Sequence, residues 1–193
     1  MRFHSLHAAS FLLLAFAAGM AAGCADDGDA SSSSSPGTTV QPPEVPAALA
    51  VPDGNVAFLK GAATGTQIYV CQAKMDMPDV YEWALKAPDA VLVDDKGATV
   101  ATHYAGPTWE SPDGSKVVGM LRERADSPDP DAIPWLLLEM KSTEGSGVFS
   151  QVTFIHRVNT AGGEAPDSGC DMAAESMESA VPYTADYYFY KAR

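Results

Sequence analysis

Three side chains able to do acid/base or metal chemistry stand close together: His103, Glu110 and Asp113. An imidazole can carry a proton near neutral pH or give a lone pair to a metal, and carboxylates can orient it or complete a ligand set. Tyr104 and Trp109 lie among them, so the 103–115 segment also offers flat apolar surface suited to a glycan or another small-molecule ligand. The spacing matches no HxH, HExxH or CxxC pattern. Each residue also has a structural role open to it, with Gly106, Pro107, Asp113 and Gly114 setting turn angles while Trp109 packs. Two functions therefore stand side by side. One is a non-catalytic domain that binds a ligand or envelope partner through the 103–115 loop and nearby aromatics. The other is a small secreted hydrolase or metalloenzyme using His103 with Glu110 or Asp113, which requires these side chains to converge.

Elsewhere the chemistry thins out. His156 shares strand parity with Val152, Phe154 and Val158, while Thr153, Ile155 and Arg157 face the other way, so His156 reads as a hydrogen-bonded core residue. No Gly-x-Ser-x-Gly elbow is present, and Gly145-Ser146-Gly147 reads as a connector. Gly61 to Gly65 lacks the Lys and Ser/Thr of a phosphate loop, and no motif implies a particular cofactor. In the run Tyr187-Tyr188-Phe189-Tyr190, alternation puts Tyr188 and Tyr190 on one face and Tyr187 and Phe189 on the other. One face is expected in the core, which leaves at most half the run for a ligand.

The elements that must position these residues are strands. Val56–Lys60 and Thr66–Cys71 flank a turn-like Gly61–Gly65 segment, and Val80–Leu85 and Ala90–Val93 follow. Asp94-Asp95-Lys96-Gly97 reads as a hairpin turn into Ala98–Tyr104, and Ser111-Pro112-Asp113-Gly114 as a turn into Lys116–Arg122. Ile133–Met140, Val148–Val158 and Tyr183–Tyr190 complete the series, and Asp171–Ala180 has the composition of a short helix. No segment has the helical periodicity of a βαβ crossover. The expected fold is all-β, a single antiparallel sandwich or barrel-like domain of about eight to ten strands with at most one short helix near the C-terminus.

The chain carries 12 Lys and Arg against 25 Asp and Glu, a formal net charge of −13. Nucleic acid and anionic headgroups need clustered cations, so neither is an expected partner. At the N-terminus, Arg2 precedes the apolar run Phe11–Ala18, which is shorter than the roughly 20 residues of a membrane-spanning helix and reads as an export signal over residues 1–23. Ala21-Ala22-Gly23-Cys24 resembles the bacterial lipobox, although the usual Leu is Ala21 here. That resemblance implies lipid on the Cys24 thiol, cleavage before it, and a membrane partner through the anchor. Ala25 rather than Asp after the cysteine leans towards the outer membrane under the enterobacterial sorting rule. Residues 24–44, rich in Ser, Pro, Gly and Asp, read as a disordered spacer, followed by one β-rich domain over 45–193. Of the 3 cysteines, lipidation of Cys24 would leave Cys71 and Cys170 either as buried thiols or as the disulfide expected in an oxidising compartment.

The domain also resembles a family of uncharacterised secreted bacterial and fungal proteins, a domain of unknown function. The resemblance rests on His103-Tyr-Ala-Gly-Pro-Thr-Trp-Glu110, Asp113-Gly-Ser115, Ile133-Pro-Trp-Leu-Leu-Leu138, Val158-Asn-Thr-Ala-Gly-Gly-Glu-Ala-Pro166 and Tyr183-Thr-Ala-Asp-Tyr-Tyr-Phe-Tyr190. It implies no catalytic residues.

Overall fold

A computed structural model describes residues 40–193. The signal segment 1–23, Cys24 and the spacer as far as residue 39 lie outside the described residues. Eight strands run β1 Asn55–Ala73, β2 Tyr81–Val93, β3 Thr99–Tyr104, β4 Thr108–Glu110, β5 Lys116–Ala125, β6 Trp135–Glu144, β7 Phe154–Gly162 and β8 Glu178–Ala192. Each pairs antiparallel with the next, and β8 returns to pair with β1, closing a barrel. Closure removes the free sheet edges that a flat meander would expose.

The glycine-rich 61–65 segment is no turn, since β1 runs straight through it. Gly61 and Gly65 are there because β2 crosses too close for a side chain. A Cβ on Gly65 would lie 2.5 Å from Ala90 Cα and closer still to the Asp89 carbonyl oxygen. The expected strands 80–85 and 90–93 likewise merge into β2, which passes through Pro88. Proline is tolerated there because β3 pairs only with Ala90–Val93, so the first part of β2 has no neighbour on that side. The hairpin turn at 94–97 and the turn at 111–114 form as expected, with Gly97 and Gly114 in the left-handed region. The 171–180 segment contributes only a 3-10 turn at Met172–Ala174, whose amides the Asp171 carboxylate caps, before β8 begins at Glu178.

Alternation sorts the side chains into two layers. Leu92, Trp109, Val117, Ile155, Tyr187 and Phe189 fill the barrel interior. Outward-facing Phe154, Val158, Tyr188 and Tyr190 are buried as well, because Leu49 with Val40, Val45 and Val51 packs over them. Both faces of the aromatic run in β8 are therefore core, and among the described residues Val40, inside the segment expected to be spacer, packs against the outer one. His156 belongs to this outer layer as a hydrogen-bonded residue, its ring nitrogens 2.9 Å from the Tyr190 hydroxyl and 2.7 Å from the Leu49 carbonyl oxygen. Cys71 and Cys170 form a disulfide that ties the end of β1 to the β7–β8 connection.

Candidate functional site

β3 and β4 are far shorter than the strands beside them. β4 pairs with β5 only through Lys116–Val118, and β3 with β2 only through Ala90–Val93. Past the tip of the β3–β4 hairpin, at Gly106 and Pro107, the barrel wall therefore has a window between the start of β2 and the end of β5. A cavity of about 250 Å³ opens there, with Pro88, Pro107, Leu136 and Leu138 among its walls and Gln67, Lys86, His103, Trp109, Arg157 and Tyr187 as its polar lining. It meets a wider cavity of about 670 Å³ along Gln67, Leu85, Leu136 and Arg157. Tyr69, Arg124, Asp126, Asp129 and Glu164 line that outer part.

His103 and Trp109 face each other across the β3–β4 ladder and both point inward. Their rings stack at 4.2 Å with an interplanar angle of 8°, and Tyr187 meets His103 edge-on at 5.2 Å. The His103 Nδ1–H donates to the Thr108 carbonyl oxygen at 2.9 Å, which leaves the Nε2 lone pair as the other polar atom of the ring. Burial lowers the His103 pKa to about 4; the Thr108 carbonyl works against that shift and Arg157 adds to it. At neutral pH the ring is an uncharged acceptor.

The other residues of the 103–115 segment go elsewhere. Tyr104 and Glu110 sit one position out of phase with His103 and Trp109, so they share the outer face. There the Tyr104 hydroxyl donates to the Glu110 carboxylate at 2.8 Å, with Lys116 Nζ 3.4 Å from the same oxygen. The tyrosine hydrogen bond is the main reason the Glu110 carboxyl is held below its ordinary pKa, and Lys116 adds to it. Asp113 lies in the β4–β5 turn, at the opposite end of β4 from Gly106. Its carboxylate accepts from Ser115 Oγ at 2.6 Å, Ser115 N at 2.8 Å and Val148 N at 2.7 Å, which lowers its pKa to about 2. By anchoring Val148 it seats Phe149, fully buried against Phe189, as the plug of that end of the barrel. His103, Glu110 and Asp113 thus occupy the interior, the outer face and a turn, and no group of three His, Cys, Asp or Glu among the described residues is placed to hold a metal ion.

The lining holds two polar residues with no counterpart in the 103–115 segment. Gln67, on β1, is 2% exposed, and its Nε2 has no hydrogen-bond partner among the described residues. Arg157, on β7, donates from Nε and Nη2 to the Pro134 carbonyl oxygen at 3.1 and 2.8 Å and makes no ion pair among the described residues. Strand parity carried the signal for both: Arg157 alternates with Ile155, and Gln67 with Ala63, Tyr69 and Cys71. A polar residue in phase with core residues faces the interior. A second buried donor, Trp109 Nε1, is also unpaired.

With this geometry described, the family model for a protein of unknown function, DUF3455, matches residues 52–191. The chain belongs to the DUF3455 family. The matched stretch takes in the whole of β1 to β7 and all but the last residue of β8, so the barrel and its window together are the family's domain. No curated protein and no solved structure matches the chain.

Proposed function

We propose that this DUF3455 domain is a binding module of the cell envelope, which takes a small organic molecule through the window beside the β3–β4 hairpin and does no chemistry on it. The observation that carries this reading is an apolar-walled cavity of about 250 Å³ whose polar lining includes buried donors without partners. Concave, mostly apolar sites with a few convergent polar groups are where small molecules bind. His103 and Trp109 supply the flat wall, while Tyr104, Glu110 and Asp113 hold the outer face and the turn. The geometry favours binding over hydrolysis: the hydrogen bond that orients His103 is donated to a backbone carbonyl rather than to a carboxylate, and a pKa of about 4 makes it a weak base.

The envelope setting rests on the lipobox-like Cys24, which lies outside the described residues, and on the disulfide, which suits an oxidising compartment. Among the described residues no helix is long and apolar enough to cross a membrane. Ion pairs such as Lys60–Asp186, Lys74–Glu82 and Arg122–Glu139 stud the barrel's outer face, which does not resemble the apolar band of a lipid-facing barrel.

Native mass spectrometry of protein isolated from cells expressing the full chain should reveal a retained small molecule, and Leu136→Trp, filling the junction of the two cavities, should release it. No retained species, together with no thermal shift from a library of small organic compounds, would overturn the binding reading. A diacylglyceryl mass on the Cys24 peptide is the expected outcome for the anchor; an unmodified Cys24 would refute it.

A further inference from the structure

Within the cavity the charge is one-sided. Arg157 has five N–H donors; it uses Nε and Nη2 on a single carbonyl and its guanidinium lies beside the Tyr187 hydroxyl, but it pairs with no carboxylate among the described residues. Gln67 Nε2 and Trp109 Nε1 are donors without acceptors. No carboxylate lines the inner cavity: Asp126, Asp129 and Glu164 all belong to the outer one. Its other cation, Lys86, is already paired with Glu178. An unpaired buried donor is unfavourable, and Arg157, half-buried where the two cavities meet, has no carboxylate partner among the described residues. An oxygen acceptor would serve all three groups, and Arg157 favours one with negative charge.

The walls limit what can bring it. A space of about 250 Å³ is equivalent to roughly eight waters at about 30 Å³ each. It lies beside the stacked His103 and Trp109 rings and is narrowed by Pro88, Pro107, Leu136 and Leu138. Resting on the binding reading above, we infer that the site is built for a small planar monocarboxylic acid, whose carboxylate engages the Arg157 guanidinium and the Gln67 amide while its ring lies against the aromatic wall. Guanidinium and carboxylate are matched planar groups, which is why Arg rather than Lys suits this position.

The test is calorimetry on protein from the full chain with benzoate, its neutral isostere benzamide, and acetate. Benzoate should bind about tenfold or more tighter than benzamide, the scale of a charge-assisted hydrogen bond. Arg157→Gln should bring benzoate down to the benzamide level, with benzamide weakened far less than benzoate. Arg157→Lys, which keeps the charge and guards against a misfolded Gln variant, should lose most of the benzoate preference. Gln67→Met should weaken benzoate while raising the melting temperature of the free protein, because it removes an unpaired buried amide; a purely structural Gln67 would show the opposite shift. Equal binding of benzoate and benzamide would overturn the acid but leave the binding module standing. Acetate binding as tightly as benzoate would reduce the site to an anion sink and overturn the planar acid. Failure of both aromatic probes would overturn this inference alone, since native mass spectrometry with Leu136→Trp tests the cavity separately.

Discussion

His103 pairs a buried ring with a large free-energy cost for charging it. The unfolded chain binds this proton with a pKa near 6.5 and the native chain only near 4. Between those values the unfolded state holds more protons, so stability is complete above about pH 6.5 and falls as the pH drops towards 4. At about 1.4 kcal/mol per unit this group accounts for roughly 3 kcal/mol across the window. His156 is shifted in the same direction, by burial opposed in part by its bond to the Leu49 carbonyl, and adds to the same slope. Urea unfolding at a series of pH values should therefore show the loss of stability begin near neutrality, and His103→Phe should flatten the curve between pH 6.5 and 4 without abolishing it. An unchanged slope in His103→Phe would mean that the ring is charged in the native barrel. Asp113 acts lower, since its depressed pKa keeps it ionised until about pH 2, and its loss separates from the histidine window.

β1 is the element on which the barrel depends most, because it is the longest strand and its ladders with β2 and β8 are the most extended. Its two glycines let β2 approach, Gly61 against the Leu92 side chain and Gly65 against backbone. Gly65→Ala should therefore destabilise by about 1–3 kcal/mol or more, as overpacking does where only backbone can yield. A ΔG of unfolding unchanged by that substitution would refute the close crossing. The same strand ends at the disulfide, which closes a separation of 99 residues. Chain entropy assigns such a loop about 4 to 5 kcal/mol. Cys71→Ala with Cys170→Ala should lower the midpoint of denaturation accordingly, with the disulfide gone and the barrel topology retained.

Over the whole molecule, the barrel has two cores rather than one. The 40–51 segment lies over the outward aromatics of β7 and β8, and Leu49 is fully buried there while its carbonyl holds His156. Leu49→Ala should cost about 2–5 kcal/mol through the cavity it leaves. Binding of a dye for exposed apolar surface should rise in that variant if Tyr188, Tyr190 and Phe154 are uncovered. No destabilisation would show that the segment is an ornament on a self-sufficient barrel. The window lies on the opposite, interior side of the wall, so ligand affinity in Leu49→Ala should be unchanged at temperatures where the variant is folded.

Much of this architecture was legible in the order of residues because strand signals are local. Alternation and Asp/Gly turns predicted the hairpins at 94–97 and 111–114, the all-β class, and the opposite faces of Tyr187 and Tyr188. Cysteine counting left Cys71 and Cys170 as the pair that the fold joins. Local pattern failed where a distant strand decided the outcome. Gly61–Gly65 reads as a turn until β2 and β8 flank it, and both faces of β8 become core only because a segment over a hundred positions away covers one of them. The candidate site divides in the same way. Parity alone separates His103 and Trp109 from Tyr104 and Glu110, once it is known which face is inward. That Gln67 of β1, His103 of β3 and Arg157 of β7 line one cavity follows from barrel closure, a relation among strands that no spacing along the chain encodes.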